Sequence, residues 1–62
     1  MTFYINTVTH EIHKETCSRR PSIDETYLGI FAYPSLAITN AKRLGYSNPD
    51  VCSYCCPQLH SE

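Results

Sequence analysis

Hydrophobic and polar residues alternate at the start of the chain. In the segment 2–8, Phe3 and Ile5 fall on one face of an extended backbone, while Tyr4 and Asn6 fall on the other. β-Branched and aromatic residues dominate this segment, and alternation with a period of two is typical of a strand. The pattern therefore predicts a first strand with one buried face.

A second run of strand-forming residues covers 26–32, and Gly29 lies inside it. Glycine within a strand marks a bulge or a close approach of the backbone. From 34 to 44 the period becomes helical, with apolar residues at Ala37, Ile38, Ala41 and Leu44. Pro34 suits the first helical position and Gly45 suits the position after the helix. The chain predicts an α+β fold with a two- or three-stranded antiparallel sheet and one helix, about 34–44.

Length sharpens this picture. The chain has 62 residues, which we interpret as a single domain, 1–62, near the lower limit for independent folding. A chain of this size needs a cross-link in addition to its apolar core. Its four cysteines can supply one as disulfides or as metal ligands. The first residues carry no secretory signal, so we expect a cytoplasmic protein whose thiols stay reduced and bind metal.

The cysteines fall into two motifs that match one metal site. His13 and Cys17 form an H-x3-C pair, and Cys52 and Cys55 form a C-x2-C pair. One imidazole and three thiolates suit tetrahedral Zn²⁺. We therefore predict one structural zinc per chain. Because four protein ligands leave no open position for a substrate water, we expect no enzyme activity and no small-molecule substrate.

Three residues near these motifs leave alternatives open. His10 and His60 are rivals to His13 as the nitrogen ligand. Cys56, adjacent to Cys55, can act as a substitute ligand, as a redox thiol or as a small packing residue.

Charge and hydropathy limit the classes of partner that the chain can have. The net charge of -1 argues against an affinity built on neutralising many phosphates, and no apolar run is long enough for a membrane span. A nucleic-acid partner stays open because basic residues flank the motifs and end the helix: Lys14, Arg19, Arg20, Lys42 and Arg43. Tyr46 and Tyr54 could stack on bases beside them. Interleaved acidic residues favour an ordinary mixed surface instead.

A combination of motifs between about 10 and 60 resembles a known group. They are His13-x3-Cys17, Arg20-Pro21, Leu28-Gly29-x-Phe31, Ala37, Ala41-Lys42, Gly45-Tyr46 and Cys52-x2-Cys55-Cys56-Pro57. The chain looks like small bacterial zinc-binding proteins of unknown function. More distantly it resembles the zinc-binding N-terminal domain of the bacterial Ada methyltransferase and related modules appended to nucleases.

The resemblance implies a compact α+β fold with zinc held by His13, Cys17, Cys52 and Cys55. In the Ada-type domain four cysteines bind zinc, and the first of them accepts a methyl group from DNA phosphotriesters. His13 occupies that position here, and an imidazole cannot replace the activated thiolate, so methyl transfer is not expected. The leading hypothesis is a non-enzymatic binding module stabilised by zinc, with an unknown protein or nucleic-acid partner. The alternatives are a nucleic-acid-binding module and a thiol-based sensor that releases its metal on oxidation at Cys55 and Cys56.

Overall fold

A computed structural model describes residues 1–18, 20 and 23–53 of the chain. In this part of the chain the elements follow in the order β1 (Thr2–Asn6), β2 (Glu11–Lys14), β3 (Glu25–Ile30), α1 (Pro34–Arg43) and β4 (Asp50–Val51). The strands form one sheet in the order β3-β1-β2-β4. Strand β1 pairs antiparallel with β2 and with β3, whereas β4 is added in parallel to β2. The predicted α+β class and antiparallel sheet are confirmed, and the short parallel strand makes the sheet mixed.

Strand β1 shows the predicted alternation. Phe3 and Ile5 are fully buried, while Tyr4 and Asn6 are half-buried. The strand ends at Asn6 because its side-chain oxygen Oδ1 accepts hydrogen bonds from the backbone N–H groups of Val8 (2.8 Å) and Thr9 (3.0 Å). Asparagine often starts a turn in this way. The turn reverses the chain into β2.

Strand β2 was not expected from the sequence. The H-x3-C motif follows the predicted first strand, 2–8, along the chain, but His13 lies inside a second strand that pairs with β1. Ile12 is the one residue of β2 that belongs to the apolar core, so the segment carries little hydrophobic pattern. A hairpin partner of this kind is fixed by register and by the turn more than by its own composition.

Helix α1 covers one face of the sheet. It begins at Pro34 and ends at Arg43, in agreement with the predicted bounds. Ala37 and Ala41 are its buried residues, and their small side chains let the helix lie close to the sheet. The core between the two layers consists of Phe3, Ile5, Ile12, Leu28, Ala37, Ala41 and Val51.

A bulge interrupts the pairing of β1 with β3. The register shifts between Phe3 and Tyr4, and Gly29 lies opposite Phe3 with a φ of 143°. L-residues with a side chain rarely adopt this φ, so glycine is required here. The predicted bulge or close approach at Gly29 is confirmed. The strand runs over Glu25–Ile30 rather than the predicted 26–32.

The length and hydropathy of the helix determine whether it could cross a membrane. Within residues 1–18, 20 and 23–53, no helix combines the length and the apolar character that crossing a bilayer requires.

Candidate metal centre

The candidate metal centre lies on the face of the sheet opposite the helix. Successive residues of a strand point to opposite faces. Ile12 belongs to the core under the helix, so His13 projects to the other side. Its register partner on β1 is Tyr4, which also points away from the core. One sheet therefore separates an apolar layer from a layer that carries the metal-binding residues.

Strand β4 brings Cys52 beside His13. The parallel pairing of β2 with β4 aligns Ile12 with Val51, and both side chains are buried in the core. The backbone N–H of Cys52 then donates a hydrogen bond to the carbonyl oxygen of Ile12 at 2.9 Å. The residue after this pair is His13 within β2 and Cys52 just beyond the end of β4. Continued alternation places both on the face away from the helix.

A turn after β2 returns Cys17 to the same face. The backbone N–H of Cys17 donates to the carbonyl oxygen of Lys14 at 3.0 Å, which closes the turn. The backbone N–H of Arg20 donates in turn to the carbonyl oxygen of Cys17 at 3.2 Å. These bonds explain the H-x3-C spacing, since three residues are enough to reverse the chain above His13.

The three side chains meet in a buried cluster. His13, Cys17 and Cys52 are exposed by only 3%, 9% and 4%. Their ligand atoms all lie within 4.8 Å of one another, close enough to hold a metal ion. The separation between His13 Nδ1 and Cys17 Sγ is 3.6 Å. Tetrahedral zinc with Zn–N of about 2.05 Å and Zn–S of about 2.3 Å would place these atoms about 3.6 Å apart. The cluster thus fits the metal without rearrangement of this pair.

A carboxylate contacts the other nitrogen of the His13 ring. Glu11 Oε1 lies 3.1 Å from His13 Nε2. Glu11 and His13 are two residues apart on β2, so their side chains share one face. The sequence reasoning did not include Glu11. Recognition of β2 as a strand would have found it, because period two from His13 leads directly to it.

Arg20 fastens the segment that carries Cys17. Its Nε donates to both carboxylate oxygens of Glu25 at 2.8 Å, and its Nη1 donates to the backbone oxygen of Glu15 at 2.7 Å. The guanidinium also lies 3.9 Å from the centre of the Tyr4 ring. The hydrogen bond to Glu25 raises the pKa of Arg20, so the side chain stays charged. Arg20 therefore connects Glu15, in the turn before Cys17, with Glu25 at the start of β3, and it lies on the same face of the sheet as the cluster.

His10, the rival ligand nearest in sequence, is engaged elsewhere. Its Nδ1 lies 2.8 Å from the backbone oxygen of Ser47, and its ring packs edge-on against Tyr46 with centroids 5.2 Å apart. His10 does not belong to the cluster formed by His13, Cys17 and Cys52. The predicted ligand Cys55, and with it Cys56 and His60, lies outside the described residues.

The fold and the cluster define a small α+β protein with a His-Cys-Cys site able to hold a metal ion. Comparisons with models of protein families, with curated proteins and with solved structures gave no match.

Proposed function

We propose that this chain is a non-enzymatic binding module whose fold is held by one structural zinc ion. The observation that carries the proposal is the convergence of three buried donor atoms, from His13, Cys17 and Cys52, to within 4.8 Å of one another. Imidazole and thiolate are soft or borderline donors that favour zinc over magnesium or calcium. In this proposal Cys55, three residues beyond Cys52, completes the tetrahedron.

A structural role follows from the donor set and from the size of the core. Four protein ligands would leave no position for a reactive water. In the part of the chain that the structure describes, the apolar core is small, and two of its seven members are alanines. Structural zinc contributes on the order of 10 kcal/mol to the folding of small domains. We therefore assign the metal to folding rather than to chemistry.

The same residues also have the order of a nucleophile, a base and a carboxylate: Cys17, His13 and Glu11. Such an arrangement can activate a thiol for covalent catalysis. Two observations favour the metal. Cys17 is only 9% exposed, whereas a nucleophile has to meet its substrate. A second sulfur, from Cys52, lies in the same cluster, where a metal would use it and a nucleophile would not.

For the partner, the arrangement of charges favours a protein over nucleic acid. Lys42 and Arg43 end the helix on one side of the sheet, and Lys14 shares that side because it pairs with the core residue Phe3. Arg20 lies on Tyr4 on the other side. Arg20 is also committed to Glu25. This separation speaks against a surface that joins all the described basic residues. Large apolar side chains are exposed instead along β3 and in α1 or at its two ends: Tyr27, Ile30, Tyr33, Leu36 and Leu44. The sensor alternative depends on Cys55 and Cys56, which lie outside the described residues.

The test is metal content and metal-dependent folding of the purified chain under reducing conditions. We expect about one zinc per chain and loss of structure by circular dichroism after chelation. Cys17→Ser and Cys52→Ser should each weaken zinc binding more than the roughly 10–100-fold typical of losing an outer partner. His10→Asn is the matched control for the rival imidazole, since asparagine tolerates the left-handed backbone of His10 (φ 63°).

Two adjacent cysteines give the sharpest comparison. Cys55→Ser should lose zinc affinity, whereas Cys56→Ser should retain it. Retention by both variants would place the fourth ligand elsewhere. A folded chain without metal, or rapid alkylation of Cys17 that added zinc does not slow, would contradict the structural zinc.

A further inference from the structure

We infer that Glu11 is a positioning residue that makes His13 bind the metal through Nδ1 and not through Nε2. The inference rests on the proposed function and deepens it. Glu11 Oε1 lies 3.1 Å from Nε2, and Cys17 Sγ lies 3.6 Å from Nδ1. The two ring nitrogens therefore face different partners.

The donor and acceptor roles fix the tautomer of the ring. An ionised carboxylate can only accept hydrogen bonds, so Nε2 has to carry the hydrogen that it shares with Glu11. In the neutral imidazole this leaves the lone pair on Nδ1, which points to the sulfur of Cys17. Nδ1 is thus the nitrogen prepared to bind a metal ion.

Backbone geometry favours the same nitrogen. Cysteine has a short side chain, and Cys52 is held against β2 by its hydrogen bond to the carbonyl oxygen of Ile12. A metal bound to Cys52 therefore lies close to the backbone of β2. Nδ1 is the ring nitrogen nearer the backbone, so it meets such a metal more readily than Nε2 does.

The His13 ring is buried and the Glu11 carboxylate is exposed, which fits a metal ligand and an outer residue that orients it. The side chain of His13 is only 4% exposed, so its orientation is confined by its surroundings, whereas the Glu11 side chain is 48% exposed. Substitution of Glu11 removes little packing. Its effect should therefore report on the ring of His13 and not on the general stability of the fold. Outer partners of metal-binding histidines fix the tautomer and raise ligand basicity.

The first experiment measures zinc affinity by competition with a chromophoric chelator. Glu11→Ala should weaken binding about 10–100-fold. Glu11→Gln should lose less, since its amide oxygen still accepts the hydrogen bond from Nε2. Glu15→Ala and Glu15→Gln are the matched controls, because Glu15 is an exposed carboxylate in the turn that follows β2. Circular dichroism at saturating zinc should be the same for all four variants.

The second experiment reads the tautomer directly. Long-range ¹H–¹⁵N correlation spectra of the zinc-loaded wild-type chain should show His13 with a protonated Nε2 and a metal-bound Nδ1. Metal binding through Nε2, or equal zinc affinity of Glu11→Ala and Glu15→Ala, overturns the role of Glu11 and leaves the zinc module standing. A wild-type chain that binds no zinc overturns both.

Discussion

A conservative change in the apolar core, Ile5→Val, should weaken zinc binding although it touches no ligand. Ile5 is fully buried on the helix side of the sheet, where it pairs with Ile12 on β2. Ile12 is in turn the neighbour of His13 in the chain. The substitution removes one methylene group and keeps the β-branched shape that suits a strand.

The magnitude follows from the cost of the lost group. Ile→Val in a protein core costs about 1 kcal/mol. Within residues 1–18, 20 and 23–53 the core has seven members, so we expect the metal-free chain to be largely unfolded and zinc binding to be coupled to folding. Under that coupling the whole cost appears in the apparent dissociation constant. About 1 kcal/mol corresponds to a roughly fivefold weaker affinity, since about 1.4 kcal/mol is tenfold.

The assay is a chelator competition for the dissociation constant, with circular dichroism of the metal-free chain in parallel. Val8→Ala is the matched control, because Val8 is apolar but 71% exposed and should leave the affinity unchanged. Cooperative unfolding of the metal-free chain, with a lower melting temperature for Ile5→Val and no change in zinc affinity, would contradict this coupling. That result would mean that the fold forms without the metal.

Substitutions at Arg20 and Gly29 test the loop and the bulge. Arg20→Lys should lower zinc affinity several-fold in the same competition assay, because lysine lacks the planar guanidinium that hydrogen-bonds Glu25 and holds the segment carrying Cys17. Unchanged affinity would show that this segment does not depend on Arg20. Gly29→Ala should lower the stability of the zinc-bound protein by about 1–3 kcal/mol, measured by thermal unfolding, because its Cβ would lie 2.9 Å from the Phe31 ring at a φ of 143°. Gly45→Ala is the comparison, since its φ of 101° is also unfavourable but no described residue other than its chain neighbours comes within 4 Å of the added Cβ. Equal losses in the two variants would contradict a steric contribution at Gly29.

Elements with a hydrophobic periodicity of their own could be predicted from the sequence. The alternation around Phe3 and Ile5 predicted β1, and the helical period between Pro34 and Arg43 predicted α1. Strands β2 and β4 were missed for a common reason. Each contributes a single apolar residue to the core, Ile12 or Val51, and neither segment shows a repeat. Their pairing is determined by the turn at Asn6 and by contacts distant in sequence.

The site residues could be predicted where their spacing along the chain was enough, and could not where they depend on an unpredicted strand. Spacing alone predicted His13, Cys17 and Cys52 as ligands, and the structure brings these three together. Glu11 was beyond reach, since its relation to His13 depends on a strand that the sequence did not reveal. The salt bridge between Arg20 and Glu25 was not predicted either, because a charge pair across a loop leaves no periodic pattern in the sequence.

Strand β4 shows why the two faces of the sheet depend on each other. It has only two residues, Asp50 and Val51, and a parallel ladder of this length has little stability of its own. Its register is held instead by consecutive side chains on opposite faces: Val51 in the apolar core and Cys52 in the cluster with His13. A slip of one residue would turn Cys52 toward the helix and Val51 toward the metal-binding face. Such a slip would cost core packing and a metal ligand at once. Burial of Val51 therefore helps to place the thiol, and a metal bound to the thiol would in turn fix the packing of Val51.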